Sequence, residues 1–173
     1  MNRRELLAGI AALGLAGHAQ AKPLMPLHDA PREMLSPPFV DGAGRDLTLE
    51  GFRDRVVLLN IWATWCMPCR EEMPTLDALQ ARLGGDDFHV LPLSIDRAGL
   101  KVVRRFYEEI GIQHLDMYLA DSTRAMWAFG ALGLPTTILI GRGGKELGRL
   151  VGPAEWDSPE IISQMQIIIN EKE

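Results

Sequence analysis

Residues 55–61, RVVLLNI, form an unbroken β-branched and aliphatic run, the composition of a strand covered on both faces. A second such run occupies residues 88–95. Between them, in residues 66–83, Met73, Leu76, Leu79 and Leu83 recur at spacings of three and four, and Gly84-Gly85 follow. That period predicts an amphipathic helix with a glycine stop. Strands separated by helices demand crossover connections and a parallel arrangement. The alternation continues: a helix is expected over Leu100–Ile110, a short strand over 117–120, a short helix over 122–129 and a last helix from Ser158. Strands at Thr136–Ile140 and Glu146–Val151 flank Gly141-Arg142-Gly143-Gly144-Lys145, the signature of an antiparallel hairpin. The order β-α-β-α-β-α-β-β-α predicts an α/β fold with a central mixed sheet flanked by helices. Upstream, the turn Asp41-Gly42-Ala43-Gly44 joins two short strands, around 39–40 and 46–48, in an N-terminal hairpin extension.

Cys66 and Cys69 are the only cysteines, within Trp65-Cys66-Met67-Pro68-Cys69-Arg70 at the start of the first expected helix. A bridge across so short a span removes little entropy from the unfolded chain, so structural stapling explains the pair poorly. Reversible thiol–disulfide chemistry explains it well. A cysteine at a helix start meets unpaired backbone N–H groups and the positive end of the dipole, which favour the reactive thiolate. Pro68 suits the first turn, where a missing N–H costs nothing. Geometry divides the labour: Cys66 is expected to be exposed and nucleophilic, and Cys69 to be more buried and to resolve the mixed disulfide. Met67, between them, is read as a neutral residue facing substrate.

The run Asn60-Ile61-Trp62-Ala63-Thr64-Trp65-Cys66-Met67-Pro68-Cys69-Arg70-Glu71-Glu72-Met73-Pro74, with Gly133-Leu134-Pro135-Thr136-Thr137, resembles the thioredoxin superfamily. More narrowly, it resembles the exported TlpA/ResA/CcmG-like thiol–disulfide oxidoreductases, over Phe39 to the C-terminus. The resemblance implies a thioredoxin-like fold and a cis Pro135, with Leu134 presenting backbone to an extended substrate segment. Trp65, Met67, Pro68, Leu134 and Pro135 are therefore the expected substrate-binding residues, and Trp65 is expected to wall off Cys69. Asn60 departs from thioredoxin proper, where a buried acid holds that position, and an amide cannot carry a proton. Glu72, one helical turn after Cys69, matches an acid of the ResA-like group and is the candidate proton acceptor. The competing reading of Glu72 is a solvated helix-face residue paired with Arg70. Trp62 is divided between core and site, and Trp127 and Trp156 are read as packing residues.

The first residues join Arg3-Arg4 to an apolar run from Leu6 to Ala16 and a small-residue end, Ala19-x-Ala21. This has the parts of a secretory signal, and its paired arginines resemble a twin-arginine signal. Residues 1–21 are thus expected to be a signal peptide and 39–173 a single thioredoxin-like domain. Residues 22–38, with five prolines and no apolar period, are expected to be an extended linker, mobile or lying along the surface. The chain is read as periplasmic and soluble after cleavage, since no stretch reaches the roughly 20 apolar residues of a membrane span. A net charge of −5 argues against nucleic acid and anionic lipid as partners. The expected partners are protein disulfide substrates, such as an apocytochrome c or a copper-site protein, and a membrane-embedded thiol donor that re-reduces the pair. No cofactor is called for. His18, His28, His89 and His114 lack ligand spacing with the cysteines, so no zinc site is expected. Two rivals remain: a disulfide oxidase or isomerase, and a Cu(I) chaperone in which Met67 or Met73 joins Cys66 and Cys69.

Overall fold

A computed structural model describes residues 24–171. In chain order the strands and helices are β1 (Leu27–Arg32), β2 (Phe39–Asp41), β3 (Asp46–Leu47), β4 (Val56–Trp62), α1 (Met67–Leu83), β5 (Phe88–Ser94), α2 (Leu100–Ile110), β6 (Tyr118–Leu119), α3 (Ser122–Ala128), β7 (Thr136–Ile140), β8 (Glu146–Val151) and α4 (Pro159–Asn170). All eight strands join one sheet in the order β1-β8-β7-β4-β5-β6-β2-β3. The aliphatic runs become β4 and β5, buried at every position and paired in parallel. The α1 segment buries Met73, Leu76 and Leu79, the stripe its period predicts. Trp62, fully buried, stacks on Tyr107 and lies against Phe106, which settles it as a core residue.

The element order from β4 onward matches the expectation, and so does the hairpin of β2 and β3. One inference from alternation needs correction. Although α3 separates β6 from β7, β7 does not extend the parallel set; it pairs antiparallel with β4, with Ile61 opposite Thr136 and Asn60 opposite Thr137. The chain after α3 passes to the far side of β4 rather than adding beside β6, and β8 then pairs antiparallel with β7.

Of the two readings of the proline-rich stretch, its described part is the extended segment lying along the surface, at the edge of the sheet. Residues 27–32 lie against β8 as antiparallel strand β1, and the Arg149 N–H donates to the Pro26 carbonyl. Met25 is buried, and Gln164 of α4 bonds both its N–H and its carbonyl. His28 meets Glu146 at 2.8 Å, and Arg149 grips the same carboxylate through two nitrogens. Gly148 lets the strands approach, since a Cβ there would strike the Pro26 carbonyl oxygen. The expected signal peptide, residues 1–21, lies outside the described residues. Among the described residues no helix is long and apolar enough to cross a membrane.

Candidate active site

Strand β4 delivers the chain through Ala63-Thr64-Trp65 to Cys66, which caps α1. The Cys66 N–H donates to the Ala63 carbonyl, and its sulfur accepts the Cys69 N–H at 3.3 Å. Cys66 and Cys69 are joined in a disulfide, their Cα atoms 5.3 Å apart. Cys69 is fully buried and Cys66 is 7% exposed, so the expected asymmetry holds in order. Cys66 is shallow rather than openly exposed, however, because its sulfur turns back onto the helix end. That placement sets an N–H donor and the positive helix terminus beside the sulfur that must carry charge. Pro68 lies in the first turn of α1, as expected.

The loop before Cys66 is tied from two sides. Asp96, buried after β5, accepts the Thr64 N–H and hydroxyl at 2.9 and 2.7 Å, and the Ser94 hydroxyl at 2.8 Å. Arg70 donates to the Thr64 carbonyl and lies 4.5 Å above the Phe106 ring, with Glu109 as its acidic neighbour. The Leu134–Pro135 bond is cis. Because Thr136 opposes Ile61, Pro135 stands at the end of the sheet where β4 releases the cysteine loop. Its carbonyl accepts the Gly152 N–H, and Leu134 is half-buried against the core.

Glu72 is not a solvated partner of Arg70. It is 2% exposed, and neutral N–H donors surround its carboxyl group. Asn60 Nδ2 donates to one oxygen at 2.8 Å, while Trp156 Nε1 and the Ala154 N–H donate to the other at 2.9 and 3.2 Å. Burial pushes its pKa up to about 7, against the pull of the Trp156, Asn60 and Ala154 hydrogen bonds. Asn60 also donates to Thr137 Oγ1 on β7, so the amide positions the acid without replacing it. A cleft of about 440 Å³ borders Glu72 from the α4 side, lined by Glu71, Thr75, Ala154 and Ser158 among others.

Several side chains fall elsewhere than expected. Trp65 is 66% exposed and so stands out from the surface instead of sealing Cys69. Trp127 is 77% exposed rather than packed, while Trp156 is the packed core residue expected and in addition bonds Glu72 through its indole. Met67 is exposed but Met73 is fully buried in the core, which removes Met73 from any accessible copper set. Trp156, Thr137 and Asp96 were missed as site residues. The sequence offered one signal, an acid closing a buried strand at Ser94-Ile95-Asp96. Nothing local marks Trp156 or Thr137, which reach the site only through tertiary contact.

The Redoxin family model matches residues 31–164. A thiol-disulfide oxidoreductase ResA from Bacillus thuringiensis (strain Al Hakam) is 28% identical over 119 residues, 68% of this chain and 68% of that protein. Another ResA, from Geobacillus thermodenitrificans (strain NG80-2), is 33% identical over 112 residues, 64% of this chain and 63% of that protein. Among solved structures, a thiol:disulfide interchange protein DsbE from Chlorobium tepidum superposes with TM-score 0.70 at 24% identity, over 86% of this chain and all of that one, a likeness of fold. With the Cys66–Cys69 pair at the tip of α1 and the family match across most of the sheet, the chain belongs to the Redoxin family, as a TlpA/ResA/CcmG-like thiol–disulfide oxidoreductase of the thioredoxin superfamily.

Proposed function

We propose that the protein works in the periplasm as a reductant of protein disulfides in cytochrome c or metal-site maturation. The observation that carries this reading is the unequal pair of sulfurs: Cys66 caps the helix at shallow depth, 7% exposed, while Cys69 is sealed one turn from Glu72. In the reduced protein the Cys66 thiolate attacks one sulfur of a substrate disulfide, forming a mixed disulfide and expelling the other substrate sulfur as thiolate. Ionised Glu72 takes the Cys69 proton. The Cys69 thiolate then attacks Cys66 Sγ, closing the internal disulfide and releasing the second substrate sulfur, which takes up a proton. Two electrons pass to the substrate, and a membrane-embedded thiol donor returns them. Trp65, Met67, Pro68, Leu134 and Pro135 form the face that meets the substrate chain, with a leader at residues 1–21 directing export.

Cys69→Ser is expected to accumulate mixed disulfides with native partners on non-reducing gels, because attack proceeds and resolution does not. Cys66→Ser is expected to accumulate none and to lose exchange. Equal trapping by both variants overturns the assignment of roles, and the trapped partners identify the maturation step.

A further inference from the structure

One buried acceptor at the site is left without a donor. Asn60, fully buried on β4, spends its Nδ2 group on Glu72 Oε1 at 2.8 Å and on Thr137 Oγ1 at 2.9 Å. Its Oδ1 finds no partner among the described residues. A carbonyl oxygen cut off from water in this way is costly and calls for a reason. The two oxygens of Glu72 are served unequally. Oε2 accepts the Ala154 N–H and the Trp156 Nε1–H, donors that are fixed: one is backbone and the other belongs to a fully buried ring. Neither can accept a bond from a protonated oxygen. Oε1 has Asn60 alone among the described residues. An amide is the one partner of the set that carries an acceptor as well as a donor. A half-turn about its Cβ–Cγ bond exchanges Oδ1 with Nδ2, two groups of nearly equal size, so no neighbour need move. Oδ1 then stands opposite Glu72 Oε1 and Thr137 Oγ1, and the Thr137 hydroxyl can donate as readily as accept.

We infer that Asn60 turns with the acid: it donates to Glu72 when the carboxyl group is ionised and accepts from it when the group is protonated, so the proton taken from Cys69 rests on Oε1. The observed orientation is the one set for the ionised form. After the half-turn, Glu72 Oε1–H and Thr137 Oγ1–H both donate to Oδ1, and Nδ2 takes the place without a partner. Each orientation leaves one polar atom unpaired, so the protonation of Glu72 decides between them. An ionised aspartate at this position has no N–H to hold the ionised form, and an apolar residue serves neither form. The other titratable groups around Glu72 are Cys69, one turn earlier on α1, and Glu71 and Glu155, which line the cleft on its outer side. Strand β4 faces it with the neutral Asn60, and the segment before α4 with the neutral Ala154 and Trp156. The inference makes Asn60 a positioning residue and rests on Glu72 as the acceptor of the Cys69 proton, the reading given above.

Labelling asparagine alone with a heavy nitrogen isotope gives few signals, because the chain holds three asparagines, Asn2, Asn60 and Asn170. In NMR spectra of the disulfide form, nuclear Overhauser cross-peaks from the Asn60 Nδ2 protons to Thr137 are expected at about pH 9 and are lost at about pH 5, with the same midpoint as the Glu72 carboxyl carbon. Glu72→Gln supplies a second reading. Its amide oxygen must take the two fixed donors, which points its own NH2 group at Asn60. Asn60 is then expected to stay turned, with its Nδ2 signals at the wild-type low-pH positions throughout. Cross-peaks to Thr137 that persist across the wild-type titration overturn the inference, as does an Asn60 that keeps the high-pH positions in Glu72→Gln; a merely structural amide gives both results. If Glu72 itself shows no titration across that range, the reading of Glu72 as proton acceptor falls, and this inference with it.

Discussion

Glu72 is an acid whose immediate neighbours are donors without charge. Asn60, Trp156 and Ala154 can orient an ionised carboxylate but cannot neutralise it, so burial wins and the pKa rises to about 7. Removing the indole donor removes support from the charged form alone. Trp156→Phe is therefore expected to raise the Glu72 pKa further, by about one unit, read from the carboxyl-carbon NMR titration of Glu72. In the exchange rate the same variant shifts the rise with pH to higher values, whereas Glu72→Gln erases that part of the profile. Trp156→Phe added to Glu72→Gln should then change nothing more in the pH dependence. A purely structural indole would move none of these midpoints. The sequence made half of this cluster legible: Glu72 falls on the same helix as Cys69 at a fixed spacing, and spacing is what a sequence states openly. Trp156 stands 84 positions away from Glu72, and only the meeting of α1 with the segment before α4 joins them.

Among the elements, β4 and β5 were legible because burial on both faces leaves an unbroken apolar run, and α1 because burial of one face writes a helical period into its side chains. Strand β1 was not, for a physical reason. It is held through its backbone at the edge of the sheet, its side chains are mostly exposed, and prolines flank and interrupt it. Such a strand carries no alternation to read. The antiparallel placement of β7 was hidden differently, since a buried strand looks alike in either direction. The attachment of β1 hangs on Gly148, where any Cβ meets the Pro26 carbonyl and crowds Leu27. Gly148→Ala is expected to push β1 off β8 and cost about 1–3 kcal/mol. The loss appears as a lower Tm and as faster proteolysis within residues 24–32, with exchange by dithiothreitol as the check that the cysteine loop still stands.

Across the whole molecule, two buried carboxyl groups pull stability in opposite directions with pH. Burial favours raising Glu146, yet its bonds to Arg149 and His28 outweigh that and hold it below the ordinary carboxylate range. Its contribution is present above that range and is lost as pH falls through its depressed pKa. Glu72, raised from 4.5 to about 7, acts the other way: its contribution is complete below about 4.5 and is lost as pH rises through about 7. The loss is of the order of 3 kcal/mol. Urea unfolding of the disulfide form is expected to show greatest stability at roughly pH 5 and a decline toward pH 8. In Glu72→Gln that decline flattens, whatever the variant's absolute stability; an unchanged slope would remove Glu72 as its source. The order of the sheet carries a last consequence. Its outer rails are β1, studded with Asp29, Pro31 and Arg32, and β3, only two residues long. Neither offers a clean ladder on which a neighbouring copy can zip, so both margins of the sheet are guarded against edge-to-edge association.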